Sequence, residues 1–137
     1  MELRYLYVGS PDVGRAVAAW LRVPGAKARW RFRHFGADVA AIDVGSAPVV
    51  LLADHRPPGS ILPIYAVDDL DSSLETLEEA GWSRDVGPMG TPEGLACVVR
   101  HDDGGTIALL KVERPNAMDS AYADGANAHA VRPAAAP

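Results

Sequence analysis

Five side chains of this sequence could hold a metal ion or move a proton: His34, Asp54, His55, Glu93 and His101. Imidazole and carboxylate groups are common protein ligands of transition metals, and histidine also transfers protons near neutral pH. These five residues are scattered over predicted strand ends and turns, and they lack the regular spacing of known zinc motifs. We therefore predict no metal site built from them.

His34 is the first candidate for catalysis. It alternates in phase with Trp30 and Phe32, so the three side chains are expected on one face of a strand. A histidine that faces a cavity could transfer a proton, with Asp54 or Glu93 assisting, or could simply hydrogen-bond a ligand.

Two successive stretches of chain must position these groups, and both have the predicted element order βαβββ. The first stretch has strands at 3–8, 27–35, 39–44 and 49–53 and a helix from a polar cap at 10–12 to about residue 21. The second has strands at 61–67, 84–89, 95–100 and 106–112 and a helix that opens at 71–75, where Ser72 and Glu75 form a capping box.

The two stretches also match residue by residue. Asp12 and Val17 correspond to Asp69 and Leu74 at an offset of 57, and residues 49–52 correspond to 107–110 at an offset of 58. Chance similarity between amphipathic elements is the alternative, but agreement in element order and in both offsets favours a duplication. We predict an α+β domain over residues 1–115, with modules at 1–58 and 59–115.

The end of the chain differs in composition from the rest. Nine of the 21 residues from 117 to 137 are alanine, and only Met118, Tyr122 and Val131 could anchor the stretch. So few apolar side chains cannot offset the entropy lost on ordering. Residues 116–137 are predicted to form a disordered Ala-rich tail.

The overall composition excludes several classes of protein. The chain has 137 residues, 48% of them hydrophobic, and its 18 acidic against 13 basic residues argue against a nucleic-acid or anionic membrane surface. No apolar run approaches the roughly 20 residues of a membrane span, and the N-terminus lacks a signal-peptide pattern. The single cysteine, Cys97, excludes an internal disulfide and is expected to be a buried thiol. We expect a cytoplasmic protein.

Two local motifs suggest a family. Residues 62–71 (LPIYAVDDLD) and 100–109 (RHDDGGTIAL), together with the repeated βαβββ order, resemble the vicinal oxygen chelate superfamily of glyoxalases, bleomycin-resistance proteins and extradiol dioxygenases. The resemblance implies one curved mixed sheet around a cleft, with the helices on the convex side. It also implies a homodimer, since members of the superfamily often pair.

The resemblance implies a metal site as well, but this sequence departs from it. Enzymes of the superfamily hold a divalent ion with side chains from the first and last strand of each module. Those positions fall here on Leu3 or Tyr5, on Val50 or a neighbour, on Leu62 and on Ala108. Only a tyrosine among these could be even a weak ligand. We predict no metal and no other cofactor.

Loss of the metal ligands leaves a cleft that aromatic and aliphatic side chains would line. Such a cleft suits a flat hydrophobic molecule. The candidate ligand-binding residues are Tyr5, Tyr7, Trp30, Phe32, His34, Leu52, Leu62, Ile64, Ala108 and Leu110.

Three functions follow, in order of preference. The first is a metal-free protein that binds a hydrophobic or aromatic small molecule, as drug-sequestering bleomycin-resistance proteins do, and that needs no catalysis. The second is a metal-independent isomerase, cyclase or lyase that uses His34 for proton transfer. The third is a metal-dependent glyoxalase-like lyase or dioxygenase.

Overall fold

Each half of the folded chain is one βαβββ module. The computed structural model describes residues 1–124 and 126–131. Module one contains β1 (Glu2–Gly9), α1 (Val13–Trp20), β2 (Lys27–His34), β3 (Ala37–Asp43) and β4 (Val49–Ala53). Module two contains β5 (Ile61–Val67), α2 (Leu70–Glu79), β6 (Ser83–Thr91), β7 (Gly94–His101) and β8 (Gly105–Lys111), and a short helix follows, α3 (Ala117–Ala123).

The eight strands form one mixed sheet in the order β2-β3-β4-β1-β5-β8-β7-β6. The first and last strands of each module are parallel, and antiparallel pairing of β1 with β5 joins the modules. Helix α1 packs on β3 and β4, and α2 packs on β6 and β8. The predicted α+β fold of two βαβββ modules in one mixed sheet is confirmed.

The two long helices begin in the same way. Asp12 caps α1 by accepting a hydrogen bond from the backbone N–H of Arg15 at 3.1 Å, and Asp69 caps α2 by accepting one from Ser72 at 3.0 Å. These are the two aspartates that the repeat equates. The predicted capping box of Ser72 and Glu75 is thus corrected, since the cap of α2 is Asp69, three residues before Ser72. Its side chain satisfies an exposed N–H group of the first turn.

Alternation along the strands sends side chains to two separate cores. In β4, Val50 and Leu52 pack against α1, whereas Leu51 and Ala53 face the opposite side of the sheet. In module two, Leu109 and Cys97 pack against α2, and Cys97 is the buried thiol that its apolar run predicts. Each sheet face thus has its own partner, which fixes the register of the strands.

The C-terminal segment corrects the expectation of a disordered tail. Helix α3 follows Asn116, and residues 129–131 pair along β2 through two backbone hydrogen bonds, Arg33 N–H to His129 O and Val131 N–H to Arg31 O. The anchors are Met118 and Tyr122, whose burial against module one repays the ordering that composition alone argued against. Residue 125 and residues 132–137 of the expected tail lie outside the described residues.

None of the helices in the described part of the chain combines the length and hydrophobicity needed to cross a lipid bilayer.

An ion pair on the β2–β3 hairpin makes stability depend on pH. Arg31 donates two hydrogen bonds to Asp38, at 2.9 and 2.7 Å, and these bonds hold the pKa of Asp38 below its ordinary value against the opposing effect of burial. The pair therefore stabilises the fold fully above the pKa of an unfolded aspartate, about 3.9. Its contribution is lost as the pH falls through the lower pKa of the folded state.

We expect Asp38→Asn to lower the free energy of unfolding by about 2 kcal/mol at pH 6. The difference between variant and wild type should shrink as the pH falls below about 4. Urea denaturation at several pH values measures it, with Glu113→Gln on an exposed ion pair as the control. A difference that stays constant from pH 6 to pH 3 would contradict this assignment.

Candidate ligand-binding site

A cleft of about 340 Å³ lies on the sheet face that α1 and α2 leave free. Its floor is where the modules meet, and it is formed by Tyr5 of β1, Leu51 of β4, Ile64 of β5 and Ala108 and Leu110 of β8. Strands from both ends of the sheet contribute to the lining, so the sheet curves around this space. The size is in the range of small-molecule sites in proteins.

One wall of the cleft is a cluster of three aromatic rings. Phe32 stacks on Tyr122 with the ring centroids 4.5 Å apart and the planes 20° from parallel. Trp30 lies beside both rings, with its centroid 5.8 Å from that of Phe32 and 6.2 Å from that of Tyr122. Because all three rings are already packed against one another, a flat ligand can lie on them at little cost in side-chain entropy.

Helix α3 supplies part of that wall. Met118 and Tyr122 line the cleft, and an ion pair between Arg29 of β2 and Asp119, at 2.8 Å, fastens the helix to the edge of the sheet. Sequence reasoning missed both residues because it assigned them to a disordered tail. Their spacing of four, which places two apolar side chains on one helix face, was the signal that could have found them.

A buried carboxylate lies at one end of the otherwise apolar cleft. Glu93, in the turn between β6 and β7, has a side chain only 7% exposed and accepts hydrogen bonds from the Tyr5 hydroxyl and from Arg4, at 3.0 Å from Nε and 2.9 Å from Nη2. Burial, with the neighbouring carboxylate, raises the pKa of Tyr5 to about 12. Tyr5 therefore stays protonated at neutral pH and donates to Glu93.

A second tyrosine hydroxyl is held elsewhere in the cleft. The hydroxyl of Tyr7 and Nε2 of His55 lie 2.9 Å apart, and the Arg56 guanidinium sits over the Tyr7 ring, 5.5 Å from its centroid. Burial raises the pKa of Tyr7, although the charge of Arg56 opposes the shift. The ring of Tyr7 lines the cleft, whereas the imidazole of His55 is exposed.

The structure brings seven of the ten predicted ligand-binding residues into the cleft lining: Tyr5, Tyr7, Trp30, Phe32, Ile64, Ala108 and Leu110. Leu62 is buried beside Tyr7 on the same face but is not part of the lining. Leu52 is a correction, because it points away from the cleft into the core beneath α1, and Leu51 takes its place.

His34 also lies outside the cleft. It follows Phe32 in the same alternation but belongs to the last position of β2, where its ring is stacked between Phe35 and His129 at centroid distances of 3.7 and 3.6 Å. Desolvation, together with the adjacent charge of His129, lowers the pKa of His34. The prediction that His34 faces the cavity is corrected: its ring lies between Phe35 and His129, and Phe35, not His34, lines the cleft.

Two further candidates for chemistry, Asp54 and His101, accept hydrogen bonds from backbone N–H groups and are not part of the cleft lining. Asp54 accepts a hydrogen bond from the N–H of Asp38, and Nδ1 of His101 accepts two from the turn before β8. Within residues 1–124 and 126–131, no three His, Cys, Asp or Glu side chains are grouped as a metal would require.

The positions at which the family resemblance implies metal ligands can also be located. Tyr5, Leu62 and Ala108 are on the cleft side of the sheet, whereas Val50 faces α1 and its neighbour Leu51 occupies the cleft side. Three of these four cleft-side residues have no donor atom, and the hydroxyl of Tyr5 is bonded to Glu93. This set does not fit a divalent ion.

Two solved structures superimpose closely on this chain. A hypothetical protein from Bacillus halodurans C-125 is 11% identical, with 82% of this chain and 95% of that protein covered and a TM-score of 0.69. Methylmalonyl-CoA epimerase from Mycobacterium tuberculosis is 21% identical, with 85% and 91% covered and a TM-score of 0.64. Identities this low establish a shared fold and nothing finer.

A looser match, with a TM-score of 0.35, is a member of the glyoxalase/bleomycin resistance protein/dioxygenase superfamily from Sphaerobacter thermophilus DSM 20745. The two sequences are 19% identical, and the alignment covers 81% of this chain and 97% of the other. Comparison of the sequence with protein-family models and with curated proteins gives no match.

Proposed function

We propose that this protein, which has the fold of the vicinal oxygen chelate superfamily, binds a planar hydrophobic or aromatic small molecule in its cleft. The observation that carries the proposal is the preformed aromatic wall of Trp30, Phe32 and Tyr122 facing an aliphatic floor. Stacking on such a wall and burial of apolar area on the floor would supply the affinity. Sequestration of the bound compound is a role that requires only this binding and no catalytic group.

The proposal includes no metal ion. Its support is the donor chemistry of the cleft-side positions, where Leu51, Leu62 and Ala108 offer no ligand atom. Leu51 and Ala108 also form part of the apolar floor, so two of the positions that lack a metal ligand contribute to the binding surface.

Catalysis by His34 has little support. An isomerase, cyclase or lyase would need its proton-transfer group within reach of the bound substrate, and this imidazole is outside the cleft lining. The geometry therefore favours binding. Homodimer formation, which the family resemblance implies, stays a prediction.

Tryptophan fluorescence can test the proposal directly, because Trp30 lines the cleft whereas Trp20 and Trp82 pack with the cores beneath α1 and α2. We expect a planar aromatic compound such as 2-naphthol or anthraquinone to quench emission and to raise the melting temperature. A ligand at a hundred times its Kd adds about 2.7 kcal/mol of stability.

Matched variants locate the signal. The double variant Trp20→Phe/Trp82→Phe should keep the full quenching, and Trp30→Phe should lose it. Equal quenching in the presence and absence of Trp30, or a panel of planar compounds in which none stabilises the protein, would refute binding in this cleft.

A further inference from the structure

The backbone holds Glu93 in a fixed position at the end of the cleft. Its carbonyl accepts hydrogen bonds from the N–H groups of Glu113 and Arg114, at 2.8 and 2.9 Å. A second hydrogen bond closes the turn that contains Glu93, since the Thr91 hydroxyl donates to the carbonyl of Gly94 at 2.6 Å. The carboxylate is thus placed before any ligand arrives, which is what a selective contact requires.

The hydrogen bonds of this carboxylate leave acceptor capacity on one oxygen. Arg4 donates twice to Oε2, and Tyr5 donates once to Oε1. A carboxylate offers about four acceptor sites, two on each oxygen, so one site on Oε1 stays open. Because the Tyr5 hydroxyl already donates its one hydrogen bond to Glu93, its oxygen can only accept from a ligand.

The charge at this end of the cleft is already balanced. Arg4 neutralises Glu93 but borders a neighbouring pocket, whereas Tyr5 and Glu93 line the cleft itself. A ligand in the cleft therefore meets the two acceptor residues and not the Arg4 donor. A neutral hydroxyl or N–H group can then bind without a compensating charge. A ligand carboxylate would meet Glu93 and be repelled, and an ether would leave the acceptors without a partner.

From this arrangement we infer that Glu93 is a specificity-determining residue, which selects planar ligands that carry a hydroxyl or N–H group at one edge. The inference rests on the proposed function and narrows its ligand class to planar compounds with a hydroxyl or N–H donor at one edge. The aromatic wall supplies affinity for any flat ring system, and Glu93 decides which of them binds tightly and in which orientation.

Three compounds with one ring system test the inference: 2-naphthol, 2-methoxynaphthalene and 2-naphthoate, titrated calorimetrically at pH 7. We expect 2-naphthol to bind at least about tenfold more tightly than its methyl ether, because only the naphthol can donate a hydrogen bond to the charged carboxylate of Glu93. The carboxylate should bind most weakly.

Two variants assign the preference to one residue. Glu93→Gln should reduce the ratio of the two affinities, 2-naphthol over its methyl ether, to about threefold or less. Glu78→Gln, which affects the exposed ion pair with Arg84, should leave this ratio unchanged. Tyr5→Phe should keep or increase the ratio, because it frees a second site on Oε1 while Glu93 remains. This variant tests the assignment even if Glu93→Gln folds poorly.

The outcomes separate the inference from the proposed function. Equal binding of 2-naphthol and its methyl ether would overturn the role of Glu93 and leave the proposed function standing. Loss of the preference in Tyr5→Phe would also overturn that role. If none of the three compounds binds, the proposed function fails, and the inference fails with it.

Discussion

Replacing Ala108 by phenylalanine is expected to abolish ligand binding while the protein stays folded. Ala108 lies on the floor of the cleft where β5, β8 and β7 meet, and its side chain faces the open volume. A benzyl group there occupies the space in which we propose that the ligand lies. We expect the affinity for 2-naphthol to fall at least about a hundredfold, which corresponds to about 2.8 kcal/mol.

The fold should tolerate this substitution because the added ring enters a cleft and not a filled core. The free energy of unfolding is expected to change by less than about 1.5 kcal/mol. Thr106→Phe is the matched control, since Thr106 is an exposed residue on the same strand and outside the cleft lining. Calorimetric titration and thermal melting of both variants measure the two effects, and tight binding by Ala108→Phe would place the ligand elsewhere.

Replacing Gly94 by alanine is expected to lower the free energy of unfolding by about 3 kcal/mol. Gly94 starts β7 with φ at +152°, and an added Cβ would lie 1.9 Å from the carbonyl oxygen of Lys111. Backbone surrounds the position, so no flexible side chain can move aside. The strain falls on the residue directly after Glu93, and the cleft carboxylate should move with it.

Gly90→Ala is the control for this prediction, because a Cβ at Gly90 meets no heavy atom within 4 Å. It should change stability by no more than about 0.5 kcal/mol. Chemical denaturation of the two variants measures the difference. Similar stability of both proteins would show that the turn before β7 adapts and that Glu93 is held less firmly than its contacts indicate.

Local patterns were sufficient to predict the architecture. Asp12 and Asp69 mark the starts of corresponding helices, and strand alternation with the turn residues marks the strands. These signals depend on backbone hydrogen bonding and on side-chain periodicity within a few residues, so a single sequence contains them.

The side of the sheet that each residue faces was harder to predict. The last strands of the modules were aligned at an offset of 58, which pairs Leu52 with Leu110. In the structure Leu51 and Ala108 share the cleft face, which corresponds to an offset of 57 and agrees with the helices. A shift of one residue exchanges the two faces of a strand, so an otherwise correct alignment placed Leu52 on the wrong side.

The sequence by itself determined the two modules, their element order and most of the aromatic side chains that line the cleft. All of these depend on residue types and spacing along the chain. Only the tertiary structure decided that Glu93 joins Tyr5, that Met118 and Tyr122 complete the aromatic wall, and that His34 stays outside it. Glu93 is 88 residues from Tyr5 in the chain, and Tyr122 meets Phe32 across a similar separation. Such contacts exist only after the sheet has curved and the C-terminal helix has packed, and no local pattern records them.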